Sequence, residues 1–225
     1  MRPTRLLPSL LLLALPACTS ARAPEASILA IGDSVMAWNG DRGIPEATAE
    51  ALGRPLRDAS QSLARISNPN PVASALGFDI SRQPPPGAWD WVILTGGGND
   101  IRDDCATSRA DAARDALIDP DLTGEIPALI ARLRAQGSKV AVVGYYDGAE
   151  ASPTGFTPCQ PEFDIMNRRF AALAARDPGF VFLDAGEVID PADLDLYAPD
   201  LVHPSPRGSA LIGAALAARM RAAER

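Results

Sequence analysis

The stretch Ile28-Leu29-Ala30-Ile31-Gly32-Asp33-Ser34 decides how this chain is read. A short apolar run bounded by turn residues is the pattern of a buried strand. Gly32 permits a sharp turn, and Ser34 then stands just past the strand's C-terminal end. In an open α/β sheet that end is where sites form. Glycine, aspartate and serine are equally the residues of ordinary turns, so the surrounding chain has to discriminate.

Working outward, Trp91-Val92-Ile93-Leu94-Thr95 is a second buried run, and it ends in Gly96-Gly97-Gly98-Asn99-Asp100. Leu56–Ser60, Val140–Val143 and Phe180–Leu183 read as further strands. Gly43–Leu52, with Pro45 near its start, reads as a short helix. Ile126, Leu129, Ile130 and Leu133 share one helix face, and so do Met166, Phe170 and Leu173. Ser205-Pro206 opens a terminal helix with serine as cap and proline at the first helical position; Leu211, Ile212, Ala215 and Leu216 are its expected buried face. Residues 67–88 read as a loop with one helical turn near Val72–Leu76, and residues 144–162 as a long loop. Strands that alternate with helices and are apolar on both faces predict an α/β fold: a three-layer α/β/α architecture around a mostly parallel, five-stranded sheet. A flavodoxin-like order, 2-1-3-4-5, would bring the turns after strands one and three together at the switch point.

The chain has 225 residues, 47% hydrophobic, with formal net charge −7. This length suits one domain with a sizeable core. The acidic balance, with no cluster of Lys and Arg among aromatics, argues against a nucleic-acid partner. Residues 1–17 read as an export signal: Arg2 and Arg5 precede a Leu-rich run, Leu6–Leu15, too short to span a bilayer. Leu15-Pro16-Ala17-Cys18 resembles the bacterial lipoprotein signal, in which the cysteine becomes the lipidated N-terminus; Pro16 keeps plain secretory cleavage open. Thr19 and Ser20, with no aspartate, imply by resemblance to Gram-negative lipoproteins an outer-membrane anchor, with the periplasm as the alternative location. Residues 18–26 are then a tether and residues 27–225 the domain. The other two cysteines, Cys105 and Cys159, would be free to pair in an oxidising compartment or to remain as thiols. No CxxC or histidine-rich spacing suggests a metal site.

A serine hydroxyl beside a neutral amide donor, Ser34 beside Asn99, is what acyl transfer needs. The serine also needs a base. The single histidine, His203, follows Asp200 by three residues in the loop Pro199-Asp200-Leu201-Val202-His203-Pro204. That spacing lets the carboxylate hold one ring nitrogen while the other faces a hydroxyl. Gly32-Asp33-Ser34, Gly97-x-Asn99-Asp100 and Asp200-x-x-His203 together resemble, in order, three motif blocks of the SGNH/GDSL hydrolase family. The resemblance spans residues 28–216. It implies Ser34 as nucleophile, His203 as general base and then acid, and Asp200 as its orienting partner. It also implies an oxyanion hole made by the Ser34 N–H, the Asn99 side chain and a backbone N–H after the second strand. The family has glycine at that last position, whereas Asp58-Ala59-Ser60-Gln61-Ser62-Leu63 places Leu63 there; its side chain is expected to crowd or wall the pocket. The α/β-hydrolase pattern G-x-S-x-G is absent around Ser34.

The resulting expectation is an exported serine ester hydrolase without metal or cofactor, acting on lipid acyl esters or thioesters or on O-acetylated carbohydrate. Its only contact with a membrane would be through the Cys18 anchor. The alternative is a catalytically weak, envelope-tethered binding protein using the same crevice. Trp38 is expected either to wall the acyl pocket or simply to pack. Tyr145, Tyr146 and Phe156 belong to a lid or to a plain surface loop, and a Cys105–Cys159 bridge would pin that segment.

Overall fold

The run Ile28–Gly32 forms β1 in the computed structural model, which describes residues 27–225, and every residue of it is buried. The export signal, Cys18 and the tether lie outside the described residues. β1 pairs in parallel with β2 (Leu56–Asp58) and β3 (Trp91–Thr95); β4 (Lys139–Val143) and β5 (Phe180–Leu183) follow. The sheet order is β2-β1-β3-β4-β5 and every pairing is parallel. Ala30, Ile31, Ile93, Leu94, Ala141 and Val142 are almost wholly buried, as a sheet covered on both faces requires. Gly32 lies opposite Thr95 in the β1/β3 register. The turns after these two strands are therefore level at the switch point.

The helices are α1 (Ser34–Ala37), α2 (Ile44–Leu52), α3 (Pro71–Ala73), α4 (Gly98–Ile101), α5 (Ala110–Leu117), α6 (Glu125–Ala135), α7 (Gln160–Ala174) and α8 (Pro206–Ala222). α8 packs on α2 and reaches β4 and β5; α6 and α7 pack on β4 and β5 and α5 packs on both of these helices. Two helical layers thus sandwich the sheet. Ser205 caps α8 by accepting the Gly208 N–H at 3.1 Å, and Pro206 is its first residue. The buried face of α8 is Ile212, Leu216, Ala217 and Met220; Leu211, expected inside, is 43% exposed. The helix is rotated toward its small residues because Gly213 lies against Ala47 and Thr48 of α2, where a Cβ would come within 2.6 Å of Ala47 Cβ. Residues 67–88 hold more structure than a single turn: α3, capped by the Asn70 side chain, runs into an irregular turn at 74–78 and a short 3-10 segment at 80–82. Among the described residues no helix is long and apolar enough to cross a membrane.

Cys105, after α4, is bonded to Cys159, the residue before α7, and both are buried. The bond spans 54 residues of sequence. Closing a loop of that length stabilises a fold by about 2–4 kcal/mol, mainly by restricting the unfolded chain. The double variant Cys105→Ser/Cys159→Ser is expected to lose that amount in urea denaturation, and the wild type to lose the same amount when unfolded in reductant. A loss below about 1 kcal/mol would mean that the unfolded chain keeps this loop nearly closed without the bond.

Candidate active site

Asp33 opens α1, its carboxylate accepting the Val35 N–H at 3.0 Å, so Ser34 is the first residue of the helix. Gly32 makes this turn possible. Its φ is +151°, and a Cβ there would lie 2.6 Å from the Thr95 carbonyl oxygen. Gln83 holds the turn from the other side. Its side chain accepts the Gly32 N–H at 2.7 Å and donates to the Gly32 carbonyl at 2.9 Å and the Gly77 carbonyl at 2.9 Å. Nothing in the sequence marked Gln83, a lone amide before three prolines; only the packed structure shows it as a clamp.

The loop before α8 carries His203 to this turn. His203 Nε2 lies 2.8 Å from Ser34 Oγ, and Nδ1 lies 2.6 Å from Asp200 Oδ2. The other Asp200 oxygen accepts the backbone N–H groups of Val202 (3.1 Å) and His203 (3.0 Å). Burial pushes the Asp200 carboxyl up, but the hydrogen bonds from the His203 ring and these two N–H groups outweigh it and hold the carboxyl below its usual range. A carboxylate held ionised in this way can fix the imidazole and face the charge the ring gains on protonation.

Asn99 lies in the first turn of α4, buried, with its Nδ2 donating to the Ala64 carbonyl at 3.0 Å. Leu63, one residue earlier, has φ +69°, a glycine-like conformation carried by a leucine. Its side chain is 65% exposed, so it neither crowds nor walls the crevice, contrary to the expectation from its size. The left-handed backbone at Leu63 goes with a side chain turned to solvent. Among the described residues nothing accepts the Leu63 N–H. The segment is pinned on both sides of Leu63. The Gln61 N–H donates to the Gly32 carbonyl at 3.0 Å, and the Ile66 N–H donates to both Asp100 oxygens at 3.1 Å.

Burial pushes the Asp100 carboxyl up to about 7; the Ile66 N–H and Arg65 oppose this, and Asp33 and Glu125 add to it. The folded state thus binds this proton more tightly than the unfolded chain, whose ordinary value is 3.8. Stability contributed by the bound proton is complete below pH 4 and is lost as pH rises through 7, with a slope of at most about 1.4 kcal/mol per pH unit. Asp100→Asn, whose amide oxygen can still accept the Ile66 N–H, is expected to flatten that part of the stability–pH curve. Superimposable curves for the two proteins in urea titrations from pH 4 to 8 would rule the effect out.

The crevice beside Ser34 encloses about 480 Å³, part of it open to solvent. Its walls include Val35, Asn99, Tyr145, Tyr146, Phe156, Phe163, Val202 and His203. Tyr145 and Tyr146 are buried and belong to the wall rather than to a lid or a surface loop. The Tyr145 hydroxyl donates to Asp33 Oδ2 at 2.6 Å and accepts the Gly98 N–H at 2.7 Å, joining the turns after β1, β3 and β4. Burial dominates at both partners and pushes the Asp33 carboxyl and the Tyr145 phenol up. Phe156 lies close to Phe163 and beneath the Arg102 guanidinium. Trp38, expected at the crevice or in the packing, stacks on His203 and is not part of the crevice wall. Among the described residues no group of three His, Cys, Asp or Glu stands together as metal ligands.

A parallel sheet with serine, histidine and aspartate in hydrogen-bond sequence at its switch point defines a class of α/β hydrolytic folds. The chain belongs to the GDSL-like lipase/acylhydrolase family, whose model matches residues 30–211; its members are ester-hydrolysing enzymes. It is similar in structure to a candidate SGNH hydrolase from Slackia heliotrinireducens, with 25% identity, TM-score 0.60, and coverage of 87% of this chain and 99% of that one. It is similar in fold to a candidate arylesterase from Agrobacterium tumefaciens str. C58 (22% identity, TM-score 0.56, 88% and 99% covered). It also shares its fold with a carbohydrate esterase family 2 enzyme plus carbohydrate binding domain from Corynascus thermopiles (17% identity, TM-score 0.60, 91% and 68% covered). No curated protein sequence matches the chain significantly.

Proposed function

We propose that this protein is an exported serine ester hydrolase that works through an acyl-enzyme on Ser34. The observation that carries the reading is the continuous Ser34 Oγ–His203 Nε2, His203 Nδ1–Asp200 Oδ2 relay, at 2.8 and 2.6 Å. Ser34 Oγ attacks the ester carbonyl while its proton passes to His203 Nε2, and Asp200 accepts the Nδ1–H throughout. The developing oxyanion faces the Ser34 N–H, the Leu63 N–H and the Asn99 side-chain amide. His203 then returns the proton to the departing alcohol oxygen. A water attacks the acyl-enzyme with His203 again as base, and free Ser34 is restored.

The acyl group is short, of acetyl size, carried on a carbohydrate or another small alcohol. The crevice walls support this. The Tyr145 and Tyr146 hydroxyls are both hydrogen-bonded, the latter to the Val202 carbonyl at 2.9 Å, and the Cys105–Cys159 bond ties down the neighbouring segment. Such a wall cannot move aside without breaking the buried Tyr145–Asp33 bond and the part-buried Tyr146–Val202 bond. Lipid acyl esters and thioesters, the other substrates expected from the sequence, would have to run out along the solvent-open side of the crevice, with little wall to cover them. Export is supported by Arg2, Arg5, the Leu6–Leu15 run and Cys18, and by a disulfide that suits an oxidising compartment. Membrane attachment would come through lipid on Cys18.

The test compares hydrolysis of p-nitrophenyl acetate with that of p-nitrophenyl octanoate, alongside fluorophosphonate labelling read by peptide mass spectrometry. The expected result is a label on Ser34 and kcat/KM for acetate at least about tenfold above octanoate, since each lost methylene contact or clash is worth that order. A preference for octanoate overturns the short-acyl assignment alone. A protein that neither hydrolyses nor labels is the binding protein, and the enzymatic reading falls.

A further inference from the structure

The indole of Trp38 lies parallel to the His203 imidazole, with ring centroids 4.0 Å apart and an interplanar angle of 10°. From this stack we infer that Trp38 is a positioning residue for the reaction: it fixes the plane of the His203 ring and favours its protonated form. The inference rests on the reading of Ser34, His203 and Asp200 as the relay.

Trp38 is the residue on which α1 ends, and its N–H donates to the Ser34 carbonyl at 2.9 Å. Nucleophile and indole are therefore one helical turn apart on the same short element. The next residue anchors the corner to the histidine loop. Asn39 adopts φ +70°, and its Nδ2 donates to the Pro204 carbonyl at 2.9 Å and to Ser209 Oγ at 3.0 Å. The chain thus grips the histidine loop immediately after His203 and lays the indole on the ring. Trp38 takes no part in the crevice wall, so it covers the imidazole without occupying substrate space.

The chemistry gives the stack a purpose. When Ser34 Oγ bonds to the carbonyl carbon, the proton moves to Nε2, so the ring becomes cationic as the carbonyl oxygen becomes anionic. The face of an indole is the negative end of a quadrupole and attracts a cation lying over it more than a neutral ring. The interaction is therefore stronger once the proton has moved than before, which is the condition for accelerating the step. The other groups facing the ring are the Asp200 carboxylate from its own loop, the buried Asp33 carboxylate and Ser34 Oγ from the turn after β1. Rotation of the ring would break its bonds to Asp200 and Ser34 together, and the parallel indole opposes that rotation.

His203 is the only histidine in the chain, so its ring Hε1 resonance identifies itself in the tag-free protein. The experiment follows that resonance from pH 4 to 9 in wild type, Trp38→Leu and Trp38→Phe, and measures kcat and KM for p-nitrophenyl acetate in each. In Trp38→Leu, which keeps an apolar cover without a π face, the titration midpoint is expected to move to lower pH by about half a unit. Its kcat should fall about tenfold with KM within twofold. Trp38→Phe should recover most of both effects. Midpoints that coincide within about 0.1 unit across the three proteins overturn the inference, whatever the rates. If the midpoints separate but wild type hydrolyses no ester, the esterase reading falls and the positioning of His203 by Trp38 stands.

Discussion

Ser34→Ala is expected to lower kcat/KM for p-nitrophenyl acetate by roughly three decades or more, because the residual rate of a site without its nucleophile comes only from binding and oxyanion donors. The substitution removes one oxygen. Ser34 Oγ makes a single side-chain hydrogen bond, to His203 Nε2 at 2.8 Å, in a partly buried position. Loss of one such bond costs about 1 kcal/mol or less, so the melting temperature should scarcely change. The combination of lost turnover and retained stability distinguishes a reacting atom from a structural one. A variant retaining a tenth of the wild-type rate would exclude acyl transfer to Ser34 and point to water activated by another base.

Arg114→Met is expected to destabilise the protein by about 3–5 kcal/mol, a large part of what a domain of this kind possesses. Arg114 is 95% buried in α5, being 5% exposed. One guanidinium nitrogen lies 2.6 Å from Glu162 of α7 and 2.9 Å from Asp111, and Nε lies 2.9 Å from Asp115. Arg169 of α7 also donates to Asp115, at 2.6 Å. Removing the cation leaves the Glu162 carboxylate buried without its counter-charge, and that desolvated charge supplies most of the loss. The double variant Arg114→Met/Glu162→Met should therefore recover much of it, since it removes both charges. Urea denaturation of the three proteins checks this. A single-variant loss below about 1 kcal/mol would mean that water reaches the pair. The disulfide joins the segments leading into the same two helices, so each link should become more costly to lose when the other is absent.

Much of the architecture was legible in the amino-acid sequence. Buried parallel strands are written as apolar runs, and the runs at 28–32, 91–95, 140–143 and 180–183 appear as strands at those positions. Helix faces repeat with a period near 3.6, and Ser205-Pro206 states where α8 begins. These signals depend on neighbours within a few residues, so local chemistry suffices to read them. The order of the strands came from the fold class, and the meeting of the two turns after β1 and β3 followed from that order. Leu211 misled because a helical pattern does not say which of two adjacent apolar residues the partner helix accepts; Gly213 against Ala47 settled the rotation.

Sequence alone thus determined the residue types of the site and the end of the sheet where they gather. Tertiary structure decided how each is held. Gln83 lies 51 residues from Gly32, Asn39 lies 165 from Pro204, and Tyr145 lies 112 from Asp33. None of these contacts leaves a periodic trace, because they arise when separately patterned elements pack together. The same holds for Leu63. Its chemical identity suggested a bulky wall, whereas its left-handed backbone, pinned by Gly32, Asn99 and Asp100, turns that bulk to solvent. A side chain's direction is set by backbone dihedrals that distant hydrogen bonds impose, and that is a property of the folded chain rather than of the residue's name.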